Sequence, residues 1–321
     1  MKRGGTGQLG FLEGFLQPGA GAHATLDKIG ALVKWYRFEK LLSKVRPGET
    51  GRPPYDALAM FKALLLQQWY GLSDPGLEEA LWDRLSFRRF CGFVLDQPIP
   101  DATTLLRFRQ TLIAAGLQDK LLEEMNRQLD QHGLLLRQGT MVDATLVAAQ
   151  AAPPSADAGK GAKSEVDTDA DWTMQGKKAH FGYKAHIAVD QGSKLIRRAI
   201  LTPAKVYESL VADDLIMGDE RAFYADRAYE KRERRAKLKA MGIKDRIMHR
   251  SHKHQDALPR WQQRRNKLIS PIRAAVESVF ATFKRYYGYR RVRYFSLAAN
   301  ALQLELMCIA VNLRRALVLT S

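Results

Sequence analysis

Two short apolar runs that each end in an aspartate constrain this chain more than anything else in it. In Met141-Val142-Asp143-Ala144-Thr145 and Phe223-Tyr224-Ala225-Asp226-Arg227 the aspartate sits where a buried strand presents a side chain at the edge of a sheet. A third segment answers them. At about 100° per residue, Arg273, Glu277 and Lys284 fall within roughly 40° of one another around a helix. Ile272, Val276, Val279 and Phe283 make a separate apolar stripe on it. Such a helix, once packed, carries one carboxylate and two cations along its edge, which suits a metal ion and a phosphate backbone. Taken singly, an aspartate after a strand is a cap or turn residue, and Arg273 with Glu277 is a surface ion pair. The chain order, the shared helix edge and the surrounding charge favour the metal reading.

The 321 residues are 46% hydrophobic, enough for a sizeable core in one large domain and a smaller one. The net charge of +17 is unevenly placed: residues 221–321 hold 24 Lys and Arg against 7 Asp and Glu, so the excess lies in the last third. A basic surface beside carboxylates favours a polyanion, most simply nucleic acid, although a solvated surface or an anionic membrane gives the same composition. Cys91 and Cys308 stand in apolar settings, which argues against a disulfide framework or a cysteine zinc site. His249, His252 and His254 lie in a basic stretch that reads as a surface loop rather than a metal site. No continuous apolar core follows Met1-Lys2-Arg3. Gln303, Glu305 and Asn312 interrupt the most apolar tail, so no membrane span is expected. A soluble, cytoplasmic protein is the expectation, nucleoid-associated when bound to DNA.

Residues 1–135 read as an all-helical module. Pro53-Pro54 precede a periodic run stopped by Gly71, Ser73-Asp74-Pro75 opens the next helix, and Asp101 caps a helix that ends near Gly116. After Gly133 the pattern turns to strands at 139–149, 180–189 and 194–201, with a hairpin at Gln191-Gly192-Ser193. A helix at 208–217, a strand at 222–225, a charged helix at 227–240 and a strand at 244–248 follow. Ser270-Pro271 reads as the start of the long helix carrying Glu277, and Gly288 as its stop. Five strands with flanking helices in this order give a mixed α+β, α/β arrangement of the ribonuclease-H-like kind. Residues 151–176, rich in Ala, Pro, Ser, Gly and Asp, read as a long mobile loop; Asp167, Asp169 and Asp171 alternate within it but lack an EF-hand's spacing.

At this point the chain resembles a known family, the DDE transposases of bacterial insertion sequences, most closely insertion-sequence family five. Val142-Asp143-Ala144-Thr145, the run Phe181-Gly182-Tyr183-Lys184-Ala185-His186, Leu201-Thr202-Pro203-Ala204 and Asp226 match that family's motifs in order. Arg273, Glu277 and Lys284 match its closing signature, except that Ser270 stands where the family has tyrosine.

The resemblance implies a helical module for binding transposon ends, residues 1–135, and a ribonuclease-H-like catalytic domain, residues 136–321. It implies that Asp143, Asp226 and Glu277 hold two Mg²⁺ or Mn²⁺ ions, and that Arg273 and Lys284 hold phosphates beside them. Arg107 and Arg109 on the helix at 102–113, with Lys184 and His186, are further expected DNA contacts. The implied partners are double-stranded DNA, both terminal inverted repeats and target, and a second copy of the chain as a homodimer on DNA. A metal-dependent nuclease of the same fold and a non-catalytic DNA-binding protein remain as alternatives.

Overall fold

The computed structural model describes residues 22–45, 55–155, 163–251 and 257–321. Contacts divide the chain into two compact units, Met1–Gln128 with Glu305–Ser321, and Leu129–Leu304. Division does not follow the chain linearly, because the end of the last helix packs with the first unit.

In the first unit the described residues form helices α1 (Ala22–Leu32), α2 (Trp35–Leu42), α3 (Ala57–Tyr70), α4 (Asp74–Asp83), α5 (Leu85–Cys91), α6 (Ala102–Ala114) and α7 (Gln118–Gln131). α3 is apolar nearly all round and lies at the centre, with every residue from Leu58 to Trp69 except Lys62 buried. Asp56 caps it by accepting from the Ala59 amide at 2.9 Å, and Gly71 ends it at φ 66°. The Trp69 indole donates to the Ala310 carbonyl at 2.8 Å, tying α3 to α12 (Leu297–Thr320). Cys91 and Cys308 are both buried and free.

The second unit is built on a six-stranded sheet. Its strands are β1 (Thr140–Ala148), β2 (Asp171–Gln175), β3 (Lys178–Asp190), β4 (Ile196–Pro203), β5 (Ala222–Ala225) and β6 (Lys244–Ile247). The order is β2-β3-β1-β5-β6, with β4 also paired to β3. β3 runs antiparallel to β1, β2 and β4, and β5 lies parallel to β1 and to β6. A mixed sheet with flanking helices α8 (Glu208–Val211), α9 (Arg232–Ala240), α10 (Arg260–Ala274) and α11 (Glu277–Tyr286) results. Val142, Phe223, Leu238 and Ile247 meet in its core.

Three expectations are corrected. The sheet has a sixth strand: β2 lies within the segment read as a mobile loop and pairs antiparallel with β3. The aspartates of that segment have structural partners. Asp167 is fully buried and accepts from the Tyr183 hydroxyl at 2.5 Å, Asp169 accepts from the Leu297 amide at 2.8 Å, and Asp171 pairs with Lys205 at 2.6 Å. The long helix is two helices. α10 begins eleven residues before Pro271, which lies inside it, and the chain tightens between α10 and α11 through three-residue turns such as Val276 N to Arg273 O at 3.0 Å. His249 packs its ring against Trp261, while Arg52, Pro53, Pro54, His252 and His254 lie outside the described residues.

Gly182 shows why one motif residue is fixed. Its φ is 150°, and a Cβ there would run into the backbone at Val147, Ala148 and Ala149. Gly182→Ala should cost about 2 to 3 kcal/mol by prying the end of β1 from β3, read as a lower thermal midpoint with loss of the native near-ultraviolet circular dichroism.

Glu305 makes a second test, within the first unit. It is 4% exposed, and burial first, then hydrogen bonding to Asp119 and the charges of Asp119 and Glu123, push its pKa up to about 10. The folded protein therefore holds a proton that the unfolded chain releases above the ordinary value of 4.5. That contribution is complete below 4.5 and is lost as pH rises toward 10. Glu305→Gln keeps a donor for Asp119 without the titration, so the variant should melt above the wild type at pH 8 and lose that advantage at pH 5.

Candidate active site

The sheet brings two of the acidic residues together by register alone. Met141 of β1 is paired with Tyr224 of parallel β5, and Asp143 and Asp226 each lie two residues further on, so the aspartates stand level on neighbouring strands. Asp226 follows the last residue of β5 and caps the 3-10 turn Arg227–Tyr229, accepting from the Arg227 amide at 2.5 Å. Arg234 braces this turn from beneath. Its side chain is fully buried and donates to the carbonyls of Tyr229 and Ser209, both at 2.5 Å, while pairing with Asp213 at 3.1 Å.

Arg273 supplies the link to the helices. Its Nη1 donates to Asp143 Oδ2 at 3.0 Å and its Nη2 to Glu277 Oε1 at 3.1 Å, so one guanidinium bridges two carboxylates 134 positions apart in the chain. Burial raises the Asp143 pKa above the ordinary carboxylate value. Arg273 and the Ala144 amide oppose that rise, and the negative charges of Asp226 and Glu277 add to it. The three carboxylates therefore share one electrostatic neighbourhood. Because the helix breaks, Arg273 stands in the last turn of α10 while Glu277 opens α11 and Lys284 follows on the same helix. The shared edge of a single helix, expected from the periodicity, is replaced by two helix ends meeting.

Among the described residues, no three His, Cys, Asp or Glu side chains converge closely enough to hold a metal ion as they stand. The donor set nonetheless fits a hard divalent cation. All the donors are carboxylate oxygens, one of them is held above its ordinary pKa by burial and, to a lesser degree, by its negative neighbours, and a cationic group already bridges two of the three.

Other expected contacts fare differently. Arg107 is exposed on α6. Arg109, expected to be exposed, is 3% exposed and forms a two-pronged pair with Asp74, the first residue of α4. Its guanidinium is a packing element between helices. His186, expected to meet DNA, is fully buried with Nε2 3.0 Å from the Thr202 hydroxyl. Burial, then nearby Lys184, pushes its pKa down to about 4, so it is neutral at pH 7 and offers no charge to a phosphate. Lys184 is 7% exposed, donating to the Val206 carbonyl and pairing with Glu208, both at 2.9 Å.

Tyr229 was missed by sequence reasoning. It is 1% exposed, its hydroxyl has no hydrogen-bond partner among the described residues, and its pKa is raised by burial and then by Asp143, Glu208 and Asp226. The sole signal was an aromatic residue three positions after Asp226.

The family profile described as Transposase DDE domain matches residues 135–313, and the one described as Transposase domain (DUF772) matches residues 16–111. Among solved structures, the chain is similar to a cryo-EM structure of the piggyBac transposase synaptic complex with hairpin DNA, at 10% identity over 92% of this chain and 73% of that one, with a TM-score of 0.43. It is also similar to the crystal structure of the Mos1 strand transfer complex, at 15% identity over 86% of this chain and 84% of that one, with a TM-score of 0.20. Superpositions this loose do not align individual side chains, so the assignment rests on the sequence profiles. With the first profile spanning more than half of its length, the chain belongs to the DDE-domain transposases.

Proposed function

We propose that the protein binds the terminal inverted repeats of an insertion sequence of the family-five type, cleaves the element's ends and joins them to target DNA. Family membership implies a metal-dependent enzyme of DNA cleavage and transfer. The observation that carries the site assignment is the bridging of Asp143 and Glu277 by Arg273, with Asp226 level with Asp143 on the next strand.

Asp143, Asp226 and Glu277 would hold the metal. A bound pair of Mg²⁺ or Mn²⁺ ions supplies an easily deprotonated nucleophile, first water and then a 3′-hydroxyl, and neutralises charge at the leaving oxygen. The chain's own side chains do the rest. Asp143, within β1, and Asp226, just after β5, are short and fixed to the sheet, so they set where the scissile phosphate lies. Glu277 is the more exposed member, 61% by its side chain, and reaches in from α11. Arg273 in its present position holds the two carboxylates together, and it is the natural group to turn onto a phosphate when the metal takes them. Lys284 is held below its ordinary pKa by partial burial and then by Arg290, and no carboxylate is among the causes, so an incoming phosphate relieves it. In the helical unit, recognition of repeat sequence falls to exposed side chains such as Arg107, and Arg109 is withdrawn from that role. A homodimer on DNA accords with two element ends having to be handled together.

Two measurements test this reading on a duplex carrying the element's terminal repeats. Asp143→Asn, Asp226→Asn and Glu277→Gln should each abolish cleavage and joining, by at least about a hundredfold, while end binding stays within a few fold of wild type. Near-normal cleavage by any one variant removes that residue from the triad. Hydrolysis without joining by the wild type would make the protein a nuclease, and binding without either reaction a DNA-binding protein. Lys284→Ala should lower the log-log slope of binding against salt by about one unit and slow cleavage at saturating DNA. An unchanged slope and rate would make that lysine a solvated charge.

A further inference from the structure

A cleft of about 1100 Å³ opens beside the acidic residues, within the second unit. Its floor is β1 from Ala144 onward, so it starts at the residue after Asp143. On one wall stand Lys284 of α11 with Arg290 and Arg291. On the other stand Trp172 and Met174 of β2, with His180 and Phe181 of β3.

The first wall is rigid and cationic. Gly288, at φ 64°, turns the chain out of α11, and the Ala148 amide donates to the Arg290 carbonyl at 3.0 Å while the Val292 amide donates to the Ala148 carbonyl at 2.9 Å. Arg290 and Arg291 are thereby pinned to the end of β1. Both side chains are exposed, and among the described residues neither they nor Lys284 takes part in an ion pair with a carboxylate. Three cations held together without counter-charge favour an anion. Glu208, the one acid lining the cleft, is already neutralised by Lys184.

The second wall is aromatic and partly open. Trp172 is half-buried, backed by Phe181 with ring centroids 5.2 Å apart, and Met174 beside it is 63% exposed. Apolar surface with a ring at its centre is an unusual companion for three unpaired cations. A duplex offers phosphates on its outside and keeps its base faces stacked away. An unpaired strand offers both at once, its phosphates to cations and the π-face of a base to an aromatic ring.

We propose that this cleft is a binding site for single-stranded DNA: unpaired nucleotides continuing from the duplex at the acidic site, with phosphates on Lys284, Arg290 and Arg291 and a base stacked on Trp172. The proposal rests on the reading of the protein as acting on DNA and adds the form of DNA that this cleft takes. β2 then has a purpose that its marginal length would not otherwise suggest, since it is the element that carries the ring opposite the cations.

The test uses the full chain and two duplexes of one sequence, one blunt and one bearing a short unpaired oligothymidine tail with a single 2-aminopurine in it. The wild type should bind the tailed duplex about tenfold more tightly, with 2-aminopurine fluorescence quenched on binding. Trp172→Ala should remove both the preference and the quenching while leaving blunt-duplex affinity unchanged. Trp172→Phe, which keeps the packing against Phe181, should retain most of the preference and guards against simple loss of the edge strand. The Arg290→Ala, Arg291→Ala double variant, changed only at exposed positions, should lower the salt slope for the tailed duplex by about two units, and that for the blunt one by less. Equal wild-type affinity for the two duplexes, or a tail preference untouched by Trp172→Ala, overturns the inference while leaving the proposed function standing. Failure to bind either duplex overturns both.

Discussion

The parallel pairing of β1 with β5 is the constraint on which the site depends. It is short, Thr140 with Phe223 and Met141 with Tyr224, yet it fixes the height of Asp143 in β1 against Asp226 just after β5. A slip of one residue would move one aspartate off level and turn its side chain to the opposite face of the sheet. What prevents the slip is burial on both faces: Val142 and Phe223 are fully buried on one, in a layer that continues into Leu238 and Ile247, and Met141 and Tyr224 are buried on the other. The hydrophobic effect thus sets the spacing of two charged groups that make no hydrophobic contact themselves.

Much of this was legible in the residues, for identifiable reasons. The strands carrying Asp143 and preceding Asp226 could be read because short apolar runs have few other uses, although β1 runs on to Ala148 past Asp143, and the hairpin between β3 and β4 because Gln191-Gly192-Ser193 carries turn chemistry. β2 was illegible. An edge strand joined to one neighbour through its backbone needs no strong pattern of side chains, and its surroundings are loop-like in composition. Arg109 was misread because its partner, Asp74, lies 35 positions away, so periodicity reports its helix face without reporting what covers it. His186 was misread for a related reason: within a motif-like run, its burial depends on β4 lying against β3.

Support around the acidic cluster is polar as well as apolar. Arg234 is fully buried, but its donors go to two carbonyls and a carboxylate, so the buried charge is compensated. By holding the Tyr229 carbonyl it fixes the turn that Asp226 caps, while the Tyr229 hydroxyl stands in a negative neighbourhood with no partner among the described residues. The scaffold is over-determined beneath the carboxylates and under-satisfied beside them. That is the pattern expected where a bound ion or substrate completes the contacts.

The break between α10 and α11 has an electrostatic consequence of its own. Peptide dipoles in a helix add to a partial positive charge at the N-terminus and a partial negative charge at the C-terminus. Arg273 lies in the final turn of α10 and Glu277 is the first residue of α11, so each meets the helix end of opposite sign. Were residues 260–286 one unbroken helix, both would sit mid-span, where the macrodipole does nothing for either. The break thus sets the cation against the negative end of one helix and the carboxylate against the positive end of the next, in addition to the contact they make with each other.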